Sequence, residues 1–267
     1  SQLREAGLRA EAAEFEARAV RAENERAQKE MQVASAIQQR VLPQQLPRIP
    51  GYDIAAINIP AEEIGGDYYD CITLPDGRIA MVVADVTGKG VPASLLVNSL
   101  HAALRVHLDY GVDVNSLVQH LNAFLYASTP ANAFITFLIA LLQPRDGTLE
   151  IVNAGHNPAL VQRNGGLEET ARSVHLPLGC AQTNKPYQSE RIVLGTGEGL
   201  LLFTDGITEA MNEKRVPFGQ EALESIVATQ NGNPASMMLG NIVAELRHYT
   251  QGAEQSDDIT ALYIRRP

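Results

Sequence analysis

Two rhythms of apolar residues divide the chain. From Leu3 to Val41 they step by three and four, through Leu3, Ala6, Ala10, Ala13, Ala17, Val20, Asn24, Ala27, Met31, Ala34, Gln38 and Val41. This is the a/d spacing of a coiled-coil seam. Half of its side chains are alanine, so the seam is thin, and Asn24 on it would fix register in a dimer. A single helix laid along a globular domain satisfies the same spacing. The helix must stop at Pro43, because "LPQQLPRIPG" (Leu42–Gly51) holds three prolines and a glycine and reads as a linker. The expected division is therefore a helix over 1–42, a linker over 43–51 and a domain over 52–267.

Beyond Gly51 the period shortens. "YDIAAINIP" has strand character, and "DYYDCITL", the turn "PDG" and "RIAMVVADV" predict a β-hairpin. Helices are expected over Val91–Tyr110 and Asp113–Ser128, the second with Asp113 as N-cap. "AFITFLIALLQ", the turn "PRDG", "TLEIVNAG" and "PALVQRNGG" predict strands joined by tight turns, and "GEGLLLFTDG" a buried strand. Helices near Gly219–Thr229 and Pro234–Gln251 precede a last strand, Asp258–Arg266. Hairpin-linked strands and paired helices favour an α+β layered domain, with antiparallel sheets inside and helices outside.

Composition narrows the function only a little. The formal net charge of −10 over 267 residues argues against non-specific nucleic-acid binding. The two cysteines, Cys71 and Cys180, form no C-x-x-C pair, so a zinc site is not expected. Both read as buried thiols in a reduced, cytoplasmic setting. The longest apolar run, Ala133–Leu142, is too short to span a bilayer. The chain starts at Ser1 within a helical pattern and reads as a fragment of a longer protein. Membrane tethering is thus expected only through segments outside it.

The chemistry gathers at strand ends. Asp67 follows two glycines, Asp85 ends an apolar run, Asp205 ends another, and Asp257 and Asp258 open the last strand. A carboxylate ending a buried strand is costly without a partner. Asp76 and Asp146, in turns, are explained as turn formers. The others, brought together, would repel unless a cation lay between them. An all-carboxylate set suits the hard ions Mg²⁺ and Mn²⁺. Neighbouring glycines would let backbone carbonyls approach an ion. The Gly-Lys of "ADVTGKGVPASLL" is no Walker A loop: Val83 stands at the first-glycine position, and Gly90 follows Lys89 where Ser or Thr belongs.

Five ordered stretches, "AEEIGGDYYD", "VVADVTGKGVPASLL", "NAGHNPAL", "LLLFTDGITEA" and "QSDDITALYI", carry a resemblance. From about Ala61 to Pro267 the chain resembles the bacterial SpoIIE/RsbU-like branch of the metal-dependent (PPM, protein phosphatase 2C-like) protein phosphatases. The resemblance implies a four-layer α-β-β-α sandwich preceded by a long N-terminal helix. It implies hydrolysis of phosphoserine or phosphothreonine at two divalent cations, Mn²⁺ or Mg²⁺. Asp85 would bridge both metals, with Asp67 and Asp205 as the other catalytic carboxylates. The Val86 carbonyl and Asp257 would complete the metal shell. Asp257 and Asp258 are adjacent, and only motif alignment favours Asp257. The expected partners are a phosphorylated regulatory protein, such as an anti-sigma-factor antagonist in partner switching, and a second copy of the chain through its N-terminal helix. Thr87, Gly88 and Lys89 stand where many eukaryotic relatives carry a histidine, and no arginine upstream of Asp67 matches their phosphate-gripping one. Lys89 and His156 are the candidate substrate contacts; a hydrogen-bonded turn through Asn153, Gly155, His156 and Asn157 is the competing reading. The alternative function is a catalytically weak pseudophosphatase serving as a signalling binding module.

Overall fold

The computed structural model describes residues 2–111, 113–130, 132–183 and 185–267, with side chains from residue 14 onward. Its elements are α1 (Gln2–Gln39), β1 (Asp53–Ile59), β2 (Asp67–Thr73), β3 (Ile79–Val86), α2 (Gly90–Asp109), α3 (Val114–Ser128), β4 (Ile135–Gln143), β5 (Thr148–Ala154), β6 (Ala159–Arg163), β7 (Gly166–Thr170), β8 (Glu190–Val193), β9 (Gly199–Phe203), α4 (Gln220–Thr229), α5 (Ala235–Thr250) and β10 (Ile259–Arg265). The strands form two antiparallel sheets, ordered β1-β10-β9-β6-β7 and β2-β3-β4-β5-β8.

Three apolar layers hold the stack together. Helices α2 and α3 bury Leu100, Leu104 and Leu121 against Tyr68, Val82 and Phe137 of the second sheet. Met81, Val83 and Leu138 of that sheet meet Leu200 and Leu262 of the first. On the far side, Met238 and Ile242 of α5 pack on Leu201, Phe203 and Tyr263. The expected four-layer α-β-β-α sandwich is what forms. Successive residues of β3 enter different layers, Ala80, Val82 and Ala84 the outer one and Met81 and Val83 the inner. A strand covered on both faces loses polar alternation, which is why "RIAMVVADV" reads as a continuous apolar run.

Local chemistry sets the ends of the elements. Asp113 caps α3 by accepting a bond from the Ser116 N–H at 3.1 Å. Asp76 and Asp146 accept the amides of Arg78 and Thr148, which accounts for both as turn residues. Two strands escape the sequence pattern. β7 (GLEET) and β8 (ERIV) are sheet edges, and their charged residues protect an open edge while erasing the apolar rhythm. Two expectations need correction. Cys180 is exposed; only Cys71 is buried, where burial and then Asp70 push its thiol up to about 12. Asp257 and Asp258 lie just before the last strand, which begins at Ile259.

The long helix has two parts. Every side chain over 14–30 is exposed, including the seam residues Ala17, Val20, Asn24 and Ala27. Met31 and Ala34 are half-buried, and Gln38 is buried against the domain. Leu3, Ala6, Ala10 and Ala13 lie outside the described side chains. Among the described residues no helix is long and apolar enough to cross a membrane.

Candidate metal centre

Pairing of β2 with β3 places Asp67 directly opposite Asp85. Facing them from the other sheet are Asp205, two residues beyond β9, and Asp257 and Asp258, just before β10. Two contacts join the sheet ends here. The Thr204 hydroxyl donates to Asp67 Oδ2 at 2.7 Å. Asp258 Oδ2 accepts the amides of Gly66 at 2.6 Å and Asp67 at 3.3 Å, and its Oδ1 accepts that of Ala61 at 2.7 Å. Asp258 is thus the clamp that seats the 61–67 loop on the first sheet. Asp257 has one oxygen on the Asp258 amide and is only half-buried.

Close packing at this end explains two glycines without an ion. A Cβ at Gly66 would lie 2.9 Å from the Val86 carbonyl oxygen. One at Gly206 would collide with the Asp258 carbonyl. The loops are therefore held at backbone contact, and the Val86 carbonyl is flanked by a residue with no side chain.

The carboxylates are poorly compensated. Burial pushes Asp85 up to about 7, and the charges of Asp205, Asp257, Asp258 and Glu209 add to the rise. Burial also holds Asp67 well above the ordinary carboxylate range; bonds from Thr260 and Thr204 oppose this while Asp85 and Asp258 reinforce it. Asp205 is raised by burial, Glu209 and Asp257. Among the described residues none of Asp67, Asp85, Asp205 or Asp257 is in a salt bridge. An all-oxygen, mutually repelling donor set fits a hard divalent cation. The cage is not formed, however: among the described residues no three acidic, imidazole or thiol groups converge as they would around one ion.

The candidate substrate contacts behave differently from each other. Lys89 reaches across to the Ser256 carbonyl, so it ties the loop after β3 to the loop before β10. His156 is buried, with Nε2 donating to the Phe203 carbonyl at 3.0 Å and Nδ1 accepting from the Thr136 hydroxyl at 2.8 Å. Burial lowers its pKa to about 4. Both ring nitrogens are occupied, so neither is free for a phosphate. Asn153 closes the turn around it, accepting the His156 amide and donating to the carbonyls of His156, Asn157 and Ala171.

Three residues of this region were not singled out in the sequence. Thr204 bonds Asp67, and its only sequence signal is its place before Asp205. Glu209 adds charge beside Asp85 and Asp205; it lies one turn beyond Asp205, whose carbonyl accepts its amide at 2.7 Å. Gln38, in the last turn of α1, donates to the Gly65 carbonyl at 2.5 Å and accepts the Gly65 amide at 3.2 Å. Its seam position gave no hint of a contact beside Asp67.

Comparison with known proteins agrees with this picture. Residues 75–267 match the family described as Stage II sporulation protein E (SpoIIE). The chain is 28% identical over 264 residues to Protein IcfG of Synechocystis, covering 89% of this chain and 41% of IcfG. It is 28% identical over 239 residues to the phosphoserine phosphatase RsbU of Bacillus subtilis, covering 89% of this chain and 70% of RsbU. The chain thus spans less than half of one of these relatives. In fold it is similar to the SiaA-PP2C domain of Pseudomonas aeruginosa, with a TM-score of 0.80 at 20% identity, covering 91% of this chain and 98% of that one. The sandwich and the matched residues together place this chain in the SpoIIE family, with the fold of a PP2C-type phosphatase domain.

Proposed function

We propose that the chain is a metal-dependent protein-serine/threonine phosphatase acting in the cytoplasm in a bacterial partner-switching pathway. Its substrate is a small phosphorylated regulatory protein of the anti-sigma-factor-antagonist kind. The observation that carries this is a set of buried and partly buried, mutually repelling carboxylates from both sheets, paired among the described residues with no cationic side chain. Kinship with the phosphoserine phosphatase RsbU supports the reaction class.

Asp67, Asp85, Asp205 and Asp257, with the Val86 carbonyl, would hold two divalent cations, Mn²⁺ or Mg²⁺. Asp258 is left out because both its oxygens are engaged by loop amides. When bound, such cations acidify water and neutralise phosphoryl oxygens. Asp67 is oriented for its role by the Thr204 hydroxyl. Lys89, drawn to Ser256, steadies the loop that carries Asp257. In the overall reaction, a water oxygen bonds to phosphorus, the phosphorus–serine oxygen bond breaks, and a proton ends on the serine oxygen. His156 takes no part in that transfer.

Hydrolysis of an aryl phosphate with Mn²⁺ tests the reading. Activity should vanish in EDTA and in Asp85→Ala or Asp205→Ala; full activity in EDTA would sink it. The unformed cage favours a second reading, a pseudophosphatase used as a binding module. Inactivity with Mn²⁺ towards both the aryl phosphate and phosphoserine proteins would select it. The exposed seam of α1 supports a homodimer through that helix. Removing residues 1–30, which spares Gln38, should give a monomer in light scattering. An unchanged mass would count against the helical dimer.

A further inference from the structure

A groove of about 200 Å³ opens beside Asp257, between α5 and the segment that follows Asp205. It is lined by Val243 and Leu246 of α5, by Ala210 and Met211 of that segment, and by Ala253. Gly206 and Asp257 also line it, so it borders the carboxylate cluster at Asp257. We infer that this groove takes an apolar side chain flanking the phosphoserine of a protein substrate, which rests on the phosphatase reading above.

Three observations support this occupant. The groove is smaller than the roughly 300–1,000 Å³ of sites for drug-sized ligands, and suits one side chain. Its walls are mostly apolar, yet Met211 remains 41% exposed, so the surface is open rather than a gap in the core. Its loop wall is also preformed. The Phe218 amide donates to the Ala210 carbonyl at 2.8 Å, and Tyr249 of α5 donates to the carbonyls of Val216 and Pro217 at 3.2 and 3.0 Å. A rigid apolar slot gains affinity because little is ordered on binding. Arg247 and Glu254 also line the groove. Arg247 is exposed and, among the described residues, in no salt bridge, which leaves its guanidinium for a carbonyl or carboxylate of the bound segment.

The test uses short peptides with one phosphoserine in a Ser/Gly background, with a single Leu moved through the flanking positions. Hydrolysis by the full chain with Mn²⁺ is compared with that of the Leu-free peptide in the same protein. Leu at one position should raise kcat/KM about tenfold or more. Val243→Phe, which fills the groove, should bring that ratio close to one. Val243→Ala, which enlarges it, should move the preference from Leu to Phe. Equal rates for all peptides, or a Leu preference untouched by both substitutions, would overturn the inference. Hydrolysis by the unmodified chain separates the two readings: if it is absent with the aryl phosphate and with every phosphoserine substrate the phosphatase reading fails, and if it is present with no Leu preference only the groove fails.

Discussion

Asp67 and Asp70 stand three residues apart on one strand, and their surroundings differ sharply. Asp70 points towards α2 and is fully buried, yet every need is met. It accepts the Tyr68 hydroxyl at 2.8 Å and the Cys71 amide at 2.8 Å, and pairs with Arg105 of α2 at 2.9 Å. Asp67 points towards the other sheet, where it meets hydroxyls and further carboxylates and, among the described residues, forms no salt bridge. A charge buried for structure comes with a fixed partner, because an unpaired one costs several kcal/mol. A charge kept for a metal must lack that partner. On the proposed reading, the contrast separates the two roles on a single strand.

Substitutions should split the two regions by the sign of their effect. The largest difference is expected in activity. Asp85→Asn should lower Mn²⁺-dependent hydrolysis by about a thousandfold, the scale of several kcal/mol of transition-state stabilisation. In the same variant the metal-free protein should melt higher, because a repelling carboxylate is gone, and the rise in Tm on adding Mn²⁺ should shrink. Asp70→Ala should do the reverse, losing about 2 kcal/mol of unfolding free energy in urea while keeping the Mn²⁺-induced rise. Equal stability of Asp70→Ala and the parent would break the comparison.

A smaller effect concerns His156, whose Thr136 partner stands opposite Asp85 on β4. Its folded pKa, about 4, lies below the unfolded value of about 6.5. The unfolded chain therefore takes up the proton first. The stability tied to neutral His156 is complete above pH ~6.5 and is lost as pH falls towards 4. Between pH 6.5 and 5 the loss should be on the order of 2 kcal/mol. Urea unfolding of the parent and of His156→Gln at these two pH values checks it: the stability difference between the two proteins should change by about this amount, because the raised carboxylates Asp67, Asp85 and Asp205 contribute equally to both. A difference between parent and variant that does not change with pH would return His156 to the list of groups free to exchange protons at the site.

Much of the architecture was legible in the chain. Apolar runs too continuous for a half-exposed strand became β3 and β4, covered on both faces. Pro-Asp-Gly and Pro-Arg-Asp-Gly marked the hairpins, and Asp113 marked a helix start. These features depend on neighbours within a few residues, so local sequence suffices to encode them. The edge strands β7 and β8 were not legible, since a strand with one neighbour needs no apolar alternation.

What the sequence determined by itself was the set of strand-end aspartates and the elements that carry them. The tertiary structure alone decided how those aspartates differ. Asp257 and Asp258 are adjacent and chemically identical, and no spacing can tell them apart. Amides of residues 61, 66 and 67, nearly two hundred positions away in the chain, engage Asp258 and leave Asp257 facing Asp85 and Asp205. Likewise the histidine of "NAGHN" became a core residue once Phe203 and Thr136 closed on both its nitrogens. Hydrogen bonds between distant segments form only when the two sheets pack, so the division of labour among like residues is settled at that stage.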